Sequence, residues 1–137
     1  WLDACLQEDG SRPALVFMHH PPFITGMGAM DEPFEGADLL RDVLARAPWA
    51  RLCCGHMHRP IFTSWAKGLA LTVPSISMQI DLDLSPGGGD TFRMEMPGYM
   101  LHHWDGSHLN SHVCQIPADV DFSGPHPFAD SVNPVED

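Results

Sequence analysis

Two short stretches of the chain gather residues able to hold a metal ion. One reads Met18-His19-His20-Pro21-Pro22-Phe23, the other Cys54-Gly55-His56-Met57-His58. Neutral imidazole is the commonest metal-binding side chain, and converging histidines suit zinc, iron, manganese or related ions. His56 and His58 are two residues apart, so in an extended segment both rings would leave the chain on one side. A lone histidine in a turn is ordinary. Here each cluster follows directly on an apolar run of strand length, and that joint placement makes His19, His56 and His58 candidate ligands.

The positioning elements are those two runs. Ala14-Leu15-Val16-Phe17-Met18 is continuously apolar, as expected of a strand buried on both faces. It stops at Pro21 and Pro22, which cannot donate to a ladder. Ala50-Arg51-Leu52-Cys53-Cys54 is the second buried strand, stopping at Gly55. Between them, residues 36–47 carry Leu39, Leu40, Val43 and Leu44 as a helical stripe, ended by Pro48. Strand, loop, helix, strand is a βαβ signature and implies parallel neighbours. Ligands of such sheets bind beyond the carboxyl ends of the strands, where both clusters fall.

Upstream, residues 1–9 read as a helix closed by Gly10, with no capping residue before Trp1. The chain is therefore expected to begin inside a helix and to be part of something longer. Downstream, Ile61–Trp65 and Leu69–Val73 form a hairpin around Ala66-Lys67-Gly68. A second hairpin joins 98–104 to 107–114 through Asp105-Gly106. A two-residue turn there pairs His103 with His108 and Tyr99 with His112. A cross-strand polar pair is the default reading of His103 and His108, and a surface metal site the sharper one. Cys53 and Cys54 face opposite ways in a strand and are expected to be buried rather than ligating. Residues 86–89 form a glycine loop, and 117–137 an acidic, proline-rich tail expected to be poorly ordered.

Composition narrows the function classes. Eighteen acidic residues against seven basic ones give a formal charge of −11, which disfavours a nucleic-acid polymer as partner. A small anionic ester remains compatible, because divalent metals invert the local field. No apolar run reaches the roughly 18–20 residues needed to span a bilayer. Four cysteines, two of them adjacent, make a poor disulfide framework and point to a reducing, cytoplasmic setting.

The two histidine stretches resemble the last two signature motifs of calcineurin-like metallophosphoesterases. Pro74-Ser75-Ile76-Ser77-Met78-Gln79 resembles the Pro-Ser-x-x-x-Gln stretch of the bacterial class III cyclic-nucleotide phosphodiesterase branch. Gly26-Met27-Gly28-Ala29-Met30-Asp31 is similar to the loop of its glycerophosphodiesterase members. The resemblance covers residues 1–115 and implies half of a four-layer α/β/β/α sandwich, the C-terminal half, in residues 1–116. It implies two divalent ions (Mn, Fe, Zn or Co), with His19 and His56 given to one and His58 to the other. The aspartates and the asparagine that complete such a centre belong to earlier motifs of the family. Asp-x-His and Gly-Asn-His are both absent here, so the chain alone is expected to lack a complete site.

What the resemblance implies is hydrolysis of a phosphodiester of the cyclic-nucleotide or glycerophosphodiester type. A phosphomonoesterase on the same core, or a non-catalytic metal- or phosphate-binding fragment, are the alternatives. His20 is the candidate catalytic residue, touching phosphate or supporting a ligand. Arg59 is a candidate phosphate contact, Asp31 a candidate hydroxyl contact, and Met27, with Met30 and Phe34, a candidate apolar wall. The expected partners are a small phosphoester, the missing N-terminal half, and another copy of the chain, since half a sandwich leaves edges and apolar faces open.

Overall fold

The computed structural model describes residues 1–32, 34–86 and 91–117. The expectations for the glycine loop and the tail fall almost wholly outside these residues. A helix α1 (Leu2–Glu8) leads into strand β1 (Ala14–Met18), and a long loop with a 3₁₀ turn at Gly28–Met30 leads to helix α2 (Ala37–Leu44). Strands β2 (Ala50–Cys54), β3 (Ile61–Trp65) and β4 (Gly68–Thr72) follow. Then come two short strands, β5 (Gln79–Ile80) and β6 (Phe92–Arg93), and the hairpin β7 (Gly98–Trp104) and β8 (Leu109–Gln115).

The central sheet has the order β1-β2-β4-β3. β1 and β2 run parallel, as do β2 and β4, while β3 returns antiparallel to β4. β5–β6 and β7–β8 form separate two-stranded ladders. One face of the sheet packs on the helices: Ala50, Leu52, Cys54 and Ala70 meet Leu6, Leu44 and Ala47, with Val16 and Met18 beside them. Within α2 the stripe narrows to Leu40, Val43 and Leu44. Leu39 is 75% exposed, a correction to its expected place in the stripe, because the helical rotation carries it to the flank of the face that Leu40, Val43 and Leu44 turn to the core.

The other face receives the β7–β8 hairpin. Arg51 donates to the Ser111 hydroxyl and to the Leu109 carbonyl, and the Cys53 thiol lies 3.8 Å from His102 Nε2. His102 Nδ1 in turn lies 2.6 Å from the Ser111 hydroxyl. This cover leaves β1 open. Leu15 is 36% and Phe17 68% exposed, so β1 is half-buried on one face and open on the other, not buried on both. The reason is its position: β1 is the edge strand, and its second edge has no partner among the described residues.

Two turns differ from expectation for local reasons. Trp65 pairs directly with Gly68, leaving a two-residue turn in which Ala66 and Lys67 both take positive φ, 51° and 63°. The pairing of β7 with β8 is displaced by two residues from the two-residue turn: His103 faces Asn110, and Tyr99 faces Cys114. The Asp105 carboxylate causes this, accepting from the main-chain nitrogens of Ser107 and His108 at 2.7 Å each and stabilising a four-residue turn. His103 and His108 are therefore not a cross-strand pair. Cys53 and Cys54 are buried on opposite faces, and burial pushes their thiols up to about 11 and about 12.

Candidate metal centre

The histidines meet because their strands do. The parallel register of β1 and β2 continues one step past the strand ends: Gly55 N donates to His19 O at 2.9 Å and to Met18 O at 3.2 Å. Pro21 and Pro22, both buried, hold the chain leaving His20. Gly55 has a steric role as well. A side chain there would place its Cβ 3.1 Å from His19 Nδ1.

His19, His20 and His56 form one cluster, each offering a ring nitrogen within 4.8 Å of the others'. Their ring centroids lie 5.0 Å (His19–His20), 5.5 Å (His19–His56) and 4.3 Å (His20–His56) apart, all edge to face. Three imidazole donors at this spacing fit a borderline-soft divalent ion. Burial, and then the neighbouring His20, hold His56 below the usual imidazole pKa, which keeps its ring neutral and able to donate a lone pair. Glu32 lies 3.4 Å from His20 Nε2 and pulls the other way on His56.

The segment 56–58 is not extended. His56 and His58 take φ of 66° and 50°, in the left-handed region, and the fully buried Met57 sits between them against Met27 and Ile80. Adjacent-but-one residues of such a turn do not share a face. His58 accordingly lies outside the three-histidine cluster, its Nδ1 3.1 Å from the Met78 carbonyl. His56 Nε2 lies 3.2 Å from the Met30 carbonyl. A backbone carbonyl beside one ring nitrogen fixes the tautomer and frees the other nitrogen, the usual support of a metal-ligating histidine.

The other candidates are engaged in the walls of the site. Asp31 accepts from Thr25 N and Thr25 Oγ1 at 2.8 Å each and from Gly26 N at 2.8 Å, closing the loop that carries Met30. Met27 is buried in the small core around Met57. Arg59 donates to the Ile80 carbonyl and, at 2.9 and 3.0 Å, to both carboxylate oxygens of Glu95. Sequence reasoning passed over Glu32 and Glu95. Neither carries a spacing signal, and both reach their partners only through the fold.

No family model matches the chain. Curated relatives do. A probable glycerophosphodiester phosphodiesterase, GpdQ, of Arcobacter nitrofigilis is 36% identical over 132 residues, 93% of this chain and 47% of its own. The GpdQ of Enterobacter lignolyticus is 35% identical over 82 residues, 58% of this chain and 30% of its own. The 3',5'-cyclic adenosine monophosphate phosphodiesterase CpdA of Escherichia coli K12 is 32% identical over 81 residues, with the same coverages. The chain belongs to the class III branch of the metallophosphoesterases. Its mixed parallel and antiparallel sheet with C-terminal hairpins is a piece of that fold, and it spans under half the length of these relatives. Among the described residues no helix is long and apolar enough to cross a membrane.

Proposed function

We propose that this chain is one half of a metal-dependent phosphodiesterase domain and supplies imidazole ligands to its centre. The observation that supports this best is the convergence of His19, His20 and His56 where two parallel strands end. His19 and His56 bind one divalent ion with His20 beside them, and His58 serves a second. Such ions acidify a bound water and neutralise charge on the phosphoryl oxygens.

The chain's own residues do the holding. Gly55 lets the two strand ends close on each other, and the Met30 and Met78 carbonyls orient His56 and His58. Glu32 beside His20 keeps that ring at the rim, in reach of a substrate oxygen. Asp31, Met27 and Arg59 take part indirectly, as the frame of the site. The substrate is a small phosphodiester of the glycerophosphodiester or cyclic-nucleotide type, the activities named for the relatives. Residues 1–116 act as the C-terminal half of the domain, and 117–137 as an appended tail.

Its partner is the half that completes the centre. The edge of β1 that has no partner among the described residues borders a cleft of about 520 Å³ lined by Trp1, Leu2, Leu6, Leu15, Phe17 and Leu40, an apolar surface suited to such cover. When that half is missing, a second copy covers it instead. All four cysteines are unpaired, which favours a reducing, cytoplasmic setting.

The test is hydrolysis of bis(p-nitrophenyl) phosphate and p-nitrophenyl phosphate by the chain joined to its missing half. Turnover of the diester that a chelator abolishes and manganese or zinc restores is expected. Turnover of the monoester alone would move the reading to a phosphomonoesterase, and metal binding without turnover to a binding fragment.

A further inference from the structure

Residues 74–80 form a closed loop held by one buried amide. Gln79, 4% exposed, accepts from Ser75 N through Oε1 at 3.1 Å. Its Nε2 donates to Ser75 O at 2.8 Å and to Ser77 O at 3.4 Å. The Ser75 hydroxyl closes the inner turn by accepting from Ser77 N at 3.0 Å, and Ser75 O also accepts from Gly98 N at 2.9 Å, tying the loop to β7. The loop then meets the histidine turn twice in succession. His58 Nδ1 lies 3.1 Å from Met78 O, and Arg59 Nε donates to Ile80 O.

A carbonyl oxygen can only accept, and a neutral imidazole has one N–H and one lone pair. The nitrogen facing Met78 O must therefore carry the hydrogen. We propose that Gln79 is a positioning residue for His58: by holding the 74–80 loop shut it keeps the Met78 carbonyl on Nδ1, so that Nε2 is the nitrogen left free to bind. The chemistry explains the residue type. Ser75 presents a donor and an acceptor side by side, and a primary amide satisfies both at once. A carboxylate in its place would face two carbonyl oxygens, and a thioether of the same length would fill the space and bond to neither.

These hydrogen bonds alone fix the link between Gln79 and the His58 tautomer. Its consequence for metal binding rests on the function proposed above, and the two are separable by experiment. The imidazole ¹⁵N–¹H correlation spectrum of the metal-free 137-residue chain, at about pH 8 where ordinary imidazoles are neutral, reads the tautomer directly. His58 is expected as the Nδ1–H form in the wild type and as a mixture of both forms in Gln79→Met. Ser75→Ala, which leaves every bond of Gln79 in place, is expected to keep the wild-type signature. Zinc affinity at the second ion's site, read by calorimetry on the chain joined to the half that completes the centre, is expected to fall about 10-fold in Gln79→Met and to hold in Ser75→Ala. An Nε2–H signature in the wild type overturns the proposal whether or not any variant folds. So does an unchanged His58 signature in a folded Gln79→Met, or in Gln79→Glu should the methionine variant not fold. A wild type with the Nδ1–H signature that binds no zinc would instead remove the metal-centre reading and leave the positioning role intact.

Discussion

Gly55 N donates to His19 O at 2.9 Å, while a Cβ on Gly55 would come within 3.1 Å of the His19 ring nitrogen Nδ1. One residue thus extends the parallel ladder past the end of β2 and leaves room for the imidazole of β1. The spacing is tighter than most Cβ contacts allow, so His19 must shift if anything larger than hydrogen stands there. Gly55→Ala is expected to cost about 1 kcal/mol of stability and to weaken zinc binding about 10-fold, as losses around a ligand commonly do. Calorimetry on the variant checks both.

Asp31 places three hydrogen bonds on the Thr25–Gly26 turn. Bonds to a charged acceptor contribute about 1.5–3 kcal/mol each, with strong overlap between neighbours. Asp31→Ala is expected to free the loop first: the amides of Thr25 and Gly26 should lose hydrogen-exchange protection while those of β2 and β4 keep theirs. Protection retained at both amides would show that the loop is held otherwise.

His56 gives the stability of the cluster a pH dependence. Burial and the adjacent His20 lower its folded-state pKa below the unfolded value of about 6.5. The unfolded chain therefore binds the proton more readily. Stability from this group is fully present above the unfolded pKa and is lost as pH falls through the lower, folded one. Urea unfolding at about pH 7.5 and about pH 5 should show the loss in the wild type and a smaller loss in His56→Asn. Metal binding, which needs neutral imidazole, should weaken over the same interval.

Phe17 is 68% exposed on the edge strand. In the chain alone, Phe17→Ser is expected to change stability by no more than about 0.5 kcal/mol, as surface substitutions do. Under the proposed function it should nevertheless reduce self-association, read as sedimentation-equilibrium mass, and weaken capture of the proposed completing half. An unchanged mass would move the interface away from β1.

How far the sequence revealed this arrangement differs from element to element. β1 and β2 have the bounds that their apolar runs give, because prolines or a Gly-His turn end each run abruptly. Their meeting at His19 and Gly55 follows from the βαβ pattern. Which histidines cluster does not. The left-handed φ of His56 and His58 has no marker in residues that are not glycine, so an extended reading kept those two together and left His20 apart. The β7–β8 register was hidden in the Asp105 side chain, which lengthens the turn by two residues. An apolar run also says nothing of which layers are present to cover it, and so the exposure of Phe17 was invisible.

The proposed function requires that residues 19 and 56 hold a divalent ion together, with residue 20 beside it. Cobalt titration of the metal-free chain, followed by visible absorption, tests it most directly against His19→Ala, His56→Ala and the distant control His103→Ala. The wild type and the control should bind with the same affinity, and the first two variants should lose more than the roughly 10–100-fold that supporting residues cost. Equal binding by all four proteins, or none by the wild type, would contradict it.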